Sequence, residues 1–484
     1  MRRAERLLLA AAAALLITWP AQAKIPDPGR SLGSCSSFTS YGEIGSLLDG
    51  YESTYPDVAR AFSIGTSVEG RELWALLVSA DPDAETAEPE IRVIGSIHGN
   101  ECMGAALVLE TIEWLLGGYG DDALASALID GAEIVFVPLV NPDGYADEPA
   151  HRENANGVDL NRNLGFAWLD EGDGPFSEPE TRALRDLGDE SSFTIGLSYH
   201  TVANYVNGPW NYTPQHPRDE ALVQAMGEAY AGSSSYGVVF GWDWYGINGD
   251  VNDWALGCQG TFDWTIEARD DLDMEWSVHG PGVAAFLAFA LTGATGLVTD
   301  AVNGQPLAAR IDVDPAGEPV FSDPDVGDYH RVLLPGTYEL TAWASGYQEV
   351  TQTVTVGSSA PTTVHFELPR DEEGHAALAV NRMVMPEALP NYLYQWQDYE
   401  NTTRVSDCLG LPDDVFYSLS PGGSITLDMG ADTPILDDEG DDLLVVSGTD
   451  SDDPITVEVA DDQDGPFVEV ATGSGDVPAD LAGT

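Results

Sequence analysis

The residues of this chain best suited to chemistry are a few histidines with carboxylates at short spacing. His98-Gly-Asn-Glu101 sets an imidazole and a carboxylate three positions apart, directly after the apolar run Ile91–Ile97. In a turn that spacing lets both side chains face one metal ion, and two histidines with one carboxylate form a zinc set that keeps a position for water. His200 offers a second imidazole, again directly after an apolar run, Phe193–Tyr199. Glu267 ends the run Phe262-Asp-Trp-Thr-Ile-Glu267, where an unpartnered carboxylate would be costly. Arg152 and Arg162 flank Asn154-Ala-Asn-Gly157 and belong with the Asn-rich string Asp159-Leu-Asn-Arg-Asn163; guanidinium forks bind carboxylates through two parallel hydrogen bonds. Each feature also has a plainer reading, as a solvated loop, a satisfied histidine or a surface arginine. Their joint order along the chain is what points to a site.

The elements that must position these residues follow from the pattern around them. From about Phe38 to Leu291 short apolar runs alternate with helical spacing: Ile91–Ile97, then Gly104–Leu116, then Glu133–Val140 closing in the turn former Asn141-Pro-Asp-Gly144, then Phe193–Tyr199 and Phe262–Glu267. Ser177-Glu-Pro-Glu180 predicts a helix start with Ser177 as N-cap, continuing to about Leu187. The alternation predicts an α/β domain whose sheet is covered by helices, with its site at the carboxyl ends of the strands. After Gly293 the texture becomes short period-two runs, Ala308–Val313, Tyr338–Trp343 and Thr351–Val356, broken by Asn303-Gly304 and Pro335-Gly336. That is an all-β sandwich pattern. From Asp371 onward there are 26 acids and 2 bases in 114 residues. The runs Ser424–Met429, Leu443–Val446 and Ile455–Val459, with Trp396, Phe416 and Phe467, favour a second sandwich over a disordered acidic tail. The ending Asp480-Leu-Ala-Gly-Thr484 lacks a closing strand, so the expectation is a truncated end.

Composition bounds the partners. The chain has 484 residues, 81 acids and 19 bases, for a formal charge of −62. Such a surface excludes nucleic acid and anionic membranes as default partners and favours a soluble monomer that repels its own copies. Residues 1–23 read as a secretory signal: Arg2, Arg3 and Arg6, the apolar run Leu7–Trp19, and the small-residue site Ala21-Gln22-Ala23. The apolar core is too short to span a bilayer comfortably, so the expectation is a secreted or periplasmic protein with no stable membrane span after cleavage. Cys35, Cys102, Cys258 and Cys408 show no C-x-x-C spacing, which argues against a structural zinc cluster. Export permits disulfides, and the sequence does not choose among the pairings.

The order of motifs resembles the zinc carboxypeptidase family (the carboxypeptidase A-like metallopeptidases), especially the regulatory branch in which a transthyretin-like sandwich follows the enzyme. The matching strings are H-G-N-E at 98–101, N-P-D-G-Y at 141–145, R-x-N-A-N-G-V-D-L-N-R-N at 152–163, S-E-P-E-T at 177–181, Y-H at 199–200, W-Y at 244–245 and T-I-E at 265–267. Gly304-Gln-Pro-Leu307 and Leu334-Pro-Gly-Thr-Tyr338 are similar to the accessory domain. The resemblance implies a mixed β-sheet with helices on both faces over residues 24–292 and a sandwich over 293–370; the acidic β-rich segment over 371–484 is read from its own pattern. It implies one zinc ion held by His98, Glu101 and His200, with Asp159 orienting His98 from behind. Glu267 would act as general base and then acid, and Arg152 would polarise the scissile carbonyl. Asn161 and Arg162 would hold the substrate's terminal carboxylate under Tyr245. Asn252 and Asn211 fall at the two pocket positions where relatives that favour basic side chains carry an acid. The implied preference is therefore neutral, with Asp250 and Asp253 close enough to reverse it. The implied partners are peptide or protein C-termini. Two other readings stay open: hydrolysis of a cell-wall peptide or another amide on the same fold, and an inactive surface-binding protein. For calcium, Asp437-Asp-Glu-Gly-Asp-Asp442 and Asp461-Asp-Gln-Asp464 gather carboxylates without an EF-hand spacing, and solvated loops are the preferred reading.

Overall fold

The computed structural model describes residues 35–370, apart from 170, 202, 233, 270–271, 316, 345–346 and 359, together with six short strands beyond 370. The stretch read as a signal, 1–23, and the acidic loops at 437–442 and 461–464 lie outside the described residues. What is described falls into two compact units, one with residues up to 342 and 350–368, the other with 343–349 and everything from 369 onward.

The first unit is built on an eight-stranded sheet. Its strands are β1 (Ala59–Thr66), β2 (Glu72–Val78), β3 (Glu90–Gly95), β4 (Glu133–Val137), β5 (Phe193–Thr201), β6 (Tyr205–Gly208), β7 (Gly237–Phe240) and β8 (Phe262–Ala268), in the order β1-β2-β4-β3-β5-β8-β6-β7. The central strands β4, β3, β5 and β8 run parallel, whereas β1, β2 and β6 enter antiparallel, so the sheet is mixed. Every residue of β3, β4 and β8 is buried, which means both faces of the sheet centre are covered. The helices are α1 (Tyr41–Thr54), α2 (Cys102–Gly118), α3 (Ala123–Ile129), α4 (Pro142–Ala146), α5 (Pro179–Glu190), α6 (Glu220–Ala231), α7 (Gly241–Trp244), α8 (Val251–Trp254) and α9 (Leu272–Leu287).

Three local differences from the sequence reading have physical causes. The expected turn at 141–144 is a helical turn, because Asn141 caps α4 by accepting from the Gly144 N–H at 2.9 Å. Helix α5 starts at Pro179 behind Glu178, not behind Ser177, since the Ser177 hydroxyl is engaged by Asn163 at 3.0 Å and donates to Glu178 at 2.9 Å. Strand β5 continues two residues past Tyr199, so His200 sits within it.

Beneath the sheet's surface lies a feature that pattern reading does not reveal. Arg92 on β3, Gly196 on β5 and Asp263 on β8 share one row of the sheet, and Arg92 reaches Asp263 at 3.0 Å with both side chains fully buried. The pair can meet only over a glycine, for a Cβ at 196 would overlap the Asp263 carboxylate.

The sandwich follows in β9 (Ala294–Asp300), β10 (Arg310–Asp314), β11 (Val320–Phe321), β12 (Asp328–Arg331), β13 (Gly336–Trp343), β14 (Val350–Val356), β15 (Thr362–Thr363) and β16 (Phe366–Leu368). One sheet runs β11-β10-β13-β14; the other runs β12-β9-β15, with β16 also pairing with β9. Alternate residues of β9 are buried, as a strand with one face on a core requires. Although the sequence marks a boundary near 293, the sandwich packs with the α/β sheet as one unit. Arg331 of β12, fully buried, reaches Asp219 before α6 at 2.6 Å and lies 5.0 Å over the Phe262 ring.

In the second unit the strands expected in the acidic segment are present as antiparallel pairs: β17 (Leu378–Val384) with β18 (Ser424–Asp428), β19 (Leu443–Val445) with β22 (Val477–Ala479), and β20 (Ile455–Val459) with β21 (Val468–Gly473). Among the described residues, no helix is long and apolar enough to cross a membrane.

Candidate active site

After β3 the chain turns through residues 96–100 into α2. Ser96 fixes that turn twice, donating to the Glu101 carbonyl at 2.8 Å and accepting from the Ala105 N–H at 3.0 Å. A Cβ on Gly104 would lie 2.7 Å from Ser96 N and from Tyr199 O, so α2 presses directly onto the ends of β3 and β5. Cys102, the first residue of α2, is disulfide-bonded to Cys35 with Cα atoms 5.5 Å apart, which settles one pairing the sequence left open. A covalent brace thus stands beside Glu101.

These constraints bring His98, Glu101 and His200 together, all buried. His98 Nδ1 lies 2.9 Å from Glu101 Oε1, and His200 Nδ1 lies 3.0 Å from Glu101 Oε2. The two Nδ1 atoms are 3.1 Å apart. Two ring nitrogens at that distance can share at most one proton, so their lone pairs converge on a common point. Ligand atoms around a tetrahedral zinc, with bonds of about 2.0–2.1 Å, sit roughly 3.3 Å from each other. The donor set and its spacing therefore fit zinc.

The surrounding charges are matched. Burial alone would raise Glu101, but the charges of His98 and His200 outweigh it and hold the carboxyl well below the usual range. Burial likewise opposes ionisation of Asp159, and His98, Arg162 and Arg152 together hold it well below its usual value. His200 is disfavoured as a cation by burial, yet Glu101 outweighs that and raises it. Asp159 joins the two halves of the site: Oδ1 meets His98 Nε2 at 3.0 Å, and Oδ2 accepts from Arg152 Nε at 2.8 Å. Such an outer carboxylate fixes the tautomer and orientation of a metal-binding histidine.

The loop carrying both arginines is held by the motifs around it. Asn141 Nδ2 and Gly99 N both donate to the Arg152 carbonyl, at 3.0 and 3.1 Å. Asn154 donates to Glu178 at 2.7 Å and to Glu180 at 3.1 Å, and Asn163 accepts from Thr181 at 2.8 Å. Asn154, Asn163, Glu178 and Glu180 are thus positioning residues to which the sequence reading gave no individual role. The only signal for them was membership of the matched strings.

A cavity of about 470 Å³ opens over this centre. Of the residues singled out by sequence, His98, Glu101, His200, Arg152, Asn161, Arg162, Tyr245, Asn211 and Glu267 line it. Glu267 is in register with His200 across β5 and β8, and only 7% exposed. Asn252 is not among the lining residues; it lies one layer below, donating to the Asn207 carbonyl at 3.1 Å and accepting from Thr265 at 2.8 Å. The reason is local: Asp250 caps α8 through the Asn252 N–H and takes the wall position itself. One Asp250 oxygen accepts from Asn211 Nδ2 at 2.7 Å, and the other is buried without a hydrogen-bond partner. Burial pushes Asp250 up to about 6, against the opposing pull of Arg162. Asp253 accepts from the backbone N–H groups of Asn211 and Tyr212, at 2.9 Å each, and burial with the neighbouring Asp250 carboxyl raises it well above its usual value.

Comparison with known proteins agrees with this geometry. The profile described as zinc carboxypeptidase matches residues 44–281, and that of the carboxypeptidase regulatory-like domain matches 293–369. Carboxypeptidase D of Anas platyrhynchos is 31% identical over 366 residues, covering 67% of this chain and 26% of that protein. The chain therefore spans about a quarter of the length of that relative. The carboxypeptidase N catalytic chain of Rattus norvegicus is 31% identical over 376 residues, covering 65% of this chain and 82% of the relative. The corresponding Homo sapiens chain is 30% identical over 391 residues, with 68% and 85% covered.

Proposed function

The chain belongs to the zinc carboxypeptidase family, and from that premise we propose that it is an exported metallocarboxypeptidase that removes the C-terminal residue of peptides or proteins. One observation carries the reading: a single cavity holds the His98–Glu101–His200 set, the carboxylate of Glu267 and the guanidinium of Arg162. The Cys35–Cys102 disulfide supports an oxidising compartment.

Zinc held by His98, Glu101 and His200 would supply Lewis acidity, making water a nucleophile near neutral pH. The remaining work falls to the chain's own groups. Glu267 takes a proton from the attacking water and returns it to the leaving amine. Arg152, steered by Asp159, donates to the carbonyl oxygen as negative charge develops there. Arg162 and Asn161 hold the terminal carboxylate, and Tyr245 covers it. Because only a chain end presents a carboxylate to that fork, the enzyme is an exopeptidase.

The partnerless oxygen of Asp250 supports a revision of the side-chain preference. A lysine or arginine at the cleaved position would supply the missing partner, so basic residues are favoured over the neutral ones implied by Asn211 and Asn252.

The test is release of C-terminal residues from a mixed set of free-acid and amidated peptides, with Glu267→Gln as the blank. Release from free acids alone, abolished by chelator and by the substitution, is expected. Equal turnover of both peptide sets would remove the Arg162 clamp. Silence of the zinc-loaded protein toward all peptides would shift the reading to a cell-wall substrate or a binding scaffold.

A further inference from the structure

Glu267 is the last residue but one of β8, where the sheet gives out on one side. Toward β5 it is held in register with His200. Toward β6 the strand pairing ends at Val206–Ile266. One further bond reaches Glu267 there: the Asn204 N–H donates to its carbonyl at 2.9 Å. Asn204 stands in the connection from β5 to β6 with a φ of 58°, in the left-handed region that asparagine tolerates better than most side chains. Its carbonyl accepts from Gly237 N, at the start of β7, at 3.1 Å. Its side-chain Oδ1 accepts from Arg269 Nε at 2.8 Å.

Arg269, two residues beyond Glu267, is anchored in turn. Its backbone N–H donates to the Tyr236 hydroxyl at 3.1 Å, its guanidinium lies 5.2 Å over the Tyr236 ring, and Nη2 donates to Ser235 Oγ. The Tyr236 hydroxyl also lies 3.2 Å from Nε2 of His279 on α9. His279 Nδ1 lies 2.7 Å from the hydroxyl of Tyr230 on α6, which donates to the Tyr199 hydroxyl at 3.3 Å. Tyr199, Tyr230, Tyr236 and His279 are all buried. With His279 neutral, one set of protons serves the whole run: Arg269 N donates to Tyr236, Tyr236 to Nε2, Nδ1 to Tyr230 and Tyr230 to Tyr199. Tyr199 precedes His200 and, by strand alternation, points to the other face of β5. A buried polar network connected in this way stiffens what it holds. None of Asn204, Arg269, Tyr236 and His279 lines the cavity, so any effect they have on the reaction must pass through Glu267.

We propose that Asn204 and Arg269 are positioning residues that clamp the backbone of Glu267 and so set the aim of its carboxylate, with Tyr236 and His279 holding Arg269 from behind. The inference rests on the reading of Glu267 as general base. A base must lie within hydrogen-bond reach of the proton it takes, and a displacement of about 1 Å can cost about 10²-fold in rate. Without the Asn204–Arg269 link, the end of β8 would be secured by β5 and by a single backbone bond from a loop residue in a strained conformation.

The zinc-loaded full chain would be assayed on a free-acid peptide, with melting temperature and metal content measured alongside. Asn204→Gly keeps the left-handed backbone and the bond to Glu267 but loses Oδ1, and Arg269→Met removes the partner. Each should lower kcat about tenfold with KM and zinc content nearly unchanged. The two together should cost little more than either alone, because both cut one link. Asn204→Asp, which keeps the acceptor, should retain near wild-type kcat. In a Glu267→Gln background Arg269→Met should cost nothing further, since no base is left to aim. Independently of turnover, amide hydrogen exchange in the zinc-free chain should quicken about tenfold around residues 204 and 269 in Asn204→Gly and Arg269→Met, and not in Asn204→Asp. Intact kcat in both variants, or a loss that persists in the Glu267→Gln background, would overturn the clamp. A lowered melting temperature with kcat intact would likewise reduce it to a brace for the fold. Full activity of Glu267→Gln would be a separate failure, of the general-base reading, and unchanged exchange rates would then overturn the clamp as well.

Discussion

Two acid clusters of the first unit use the same residue types to opposite effect. At the carboxyl edge of the sheet Glu101 lies between the imidazoles of His98 and His200, and Asp159 between His98 and the Arg152 guanidinium. Both are held well below their usual range despite burial. At the seam between sheet and sandwich Glu85 and Glu90 face other acids, and burial with crowding raises both. Burial penalises the charged form in both places, so what separates them is whether the chain supplies an opposing charge. A matched cluster is preorganised for chemistry, whereas an unmatched one is pushed toward its protonated form.

The largest effect should come from the matched edge. Glu267→Gln is expected to lower kcat by about 10³–10⁴-fold with KM and zinc content nearly unchanged, the scale of a lost general acid–base group. Steady-state kinetics on a free-acid peptide, with metal analysis, checks it. Retention of activity would mean that the matched cluster is structural.

At the seam the expected loss is in stability instead. Arg331→Met leaves Asp219 without its partner under the sandwich and should cost about 3–5 kcal/mol, read as a lowered melting temperature. Adding Asp219→Leu should recover much of it, since replacing both charges removes the stranded anion. Peptidase kinetics of the folded fraction should stay constant. A change in kcat would mean that the two regions are coupled.

Arg162→Gln comes next. Leaving the substrate's terminal carboxylate unpaired should lower kcat/KM on free acids by roughly 2–5 kcal/mol, or about 30-fold to several thousandfold. Amidated peptides, which never used the fork, should be unaffected. The discrimination ratio is therefore the readout.

How much of this could be read from residues alone divides along the same line. Strands and helices around the site follow from apolar periodicity, and the metal set follows from the order of motifs that carries the family resemblance, with His98 and His200 directly after apolar runs. Those signals are local. What escaped is what forms only across the fold. Arg92 and Asp263 look like misplaced charges in two apolar strands until the sheet sets them in one row over Gly196. Glu85 and Glu90 are close in sequence, but Asp323 comes only after the α/β domain is complete, and it meets them only when the sandwich docks. Ser177 had the right spacing for an N-cap, but its hydroxyl was already committed to Asn163 and Glu178. At the pocket, a short helix at Val251 turns Asn252 toward the Asn207 carbonyl and leaves Asp250 at the cavity wall, a placement that spacing alone does not show.

That pocket gives the smallest and most discriminating prediction, because Asp250 faces both the Arg162 guanidinium and a second buried acid, Asp253. It is buried near Arg162, yet one of its oxygens has no partner, and its carboxyl is pushed up to about 6. Burial favours its neutral form, and the Arg162 guanidinium favours the anion. Preference for a C-terminal lysine or arginine over leucine should therefore be present at pH 7–8 and fade as pH falls through about 6. Asp250→Asn should lower the preference about tenfold at pH 7.5, the scale of one exposed or half-matched charge contact, and flatten its pH dependence. The ratio of kcat/KM for the two substrates cancels any titration of Glu267 or the metal set, since both substrates share those groups. A pH-independent ratio in the wild type would place Asp250 with the structural acids and return the pocket to a neutral preference.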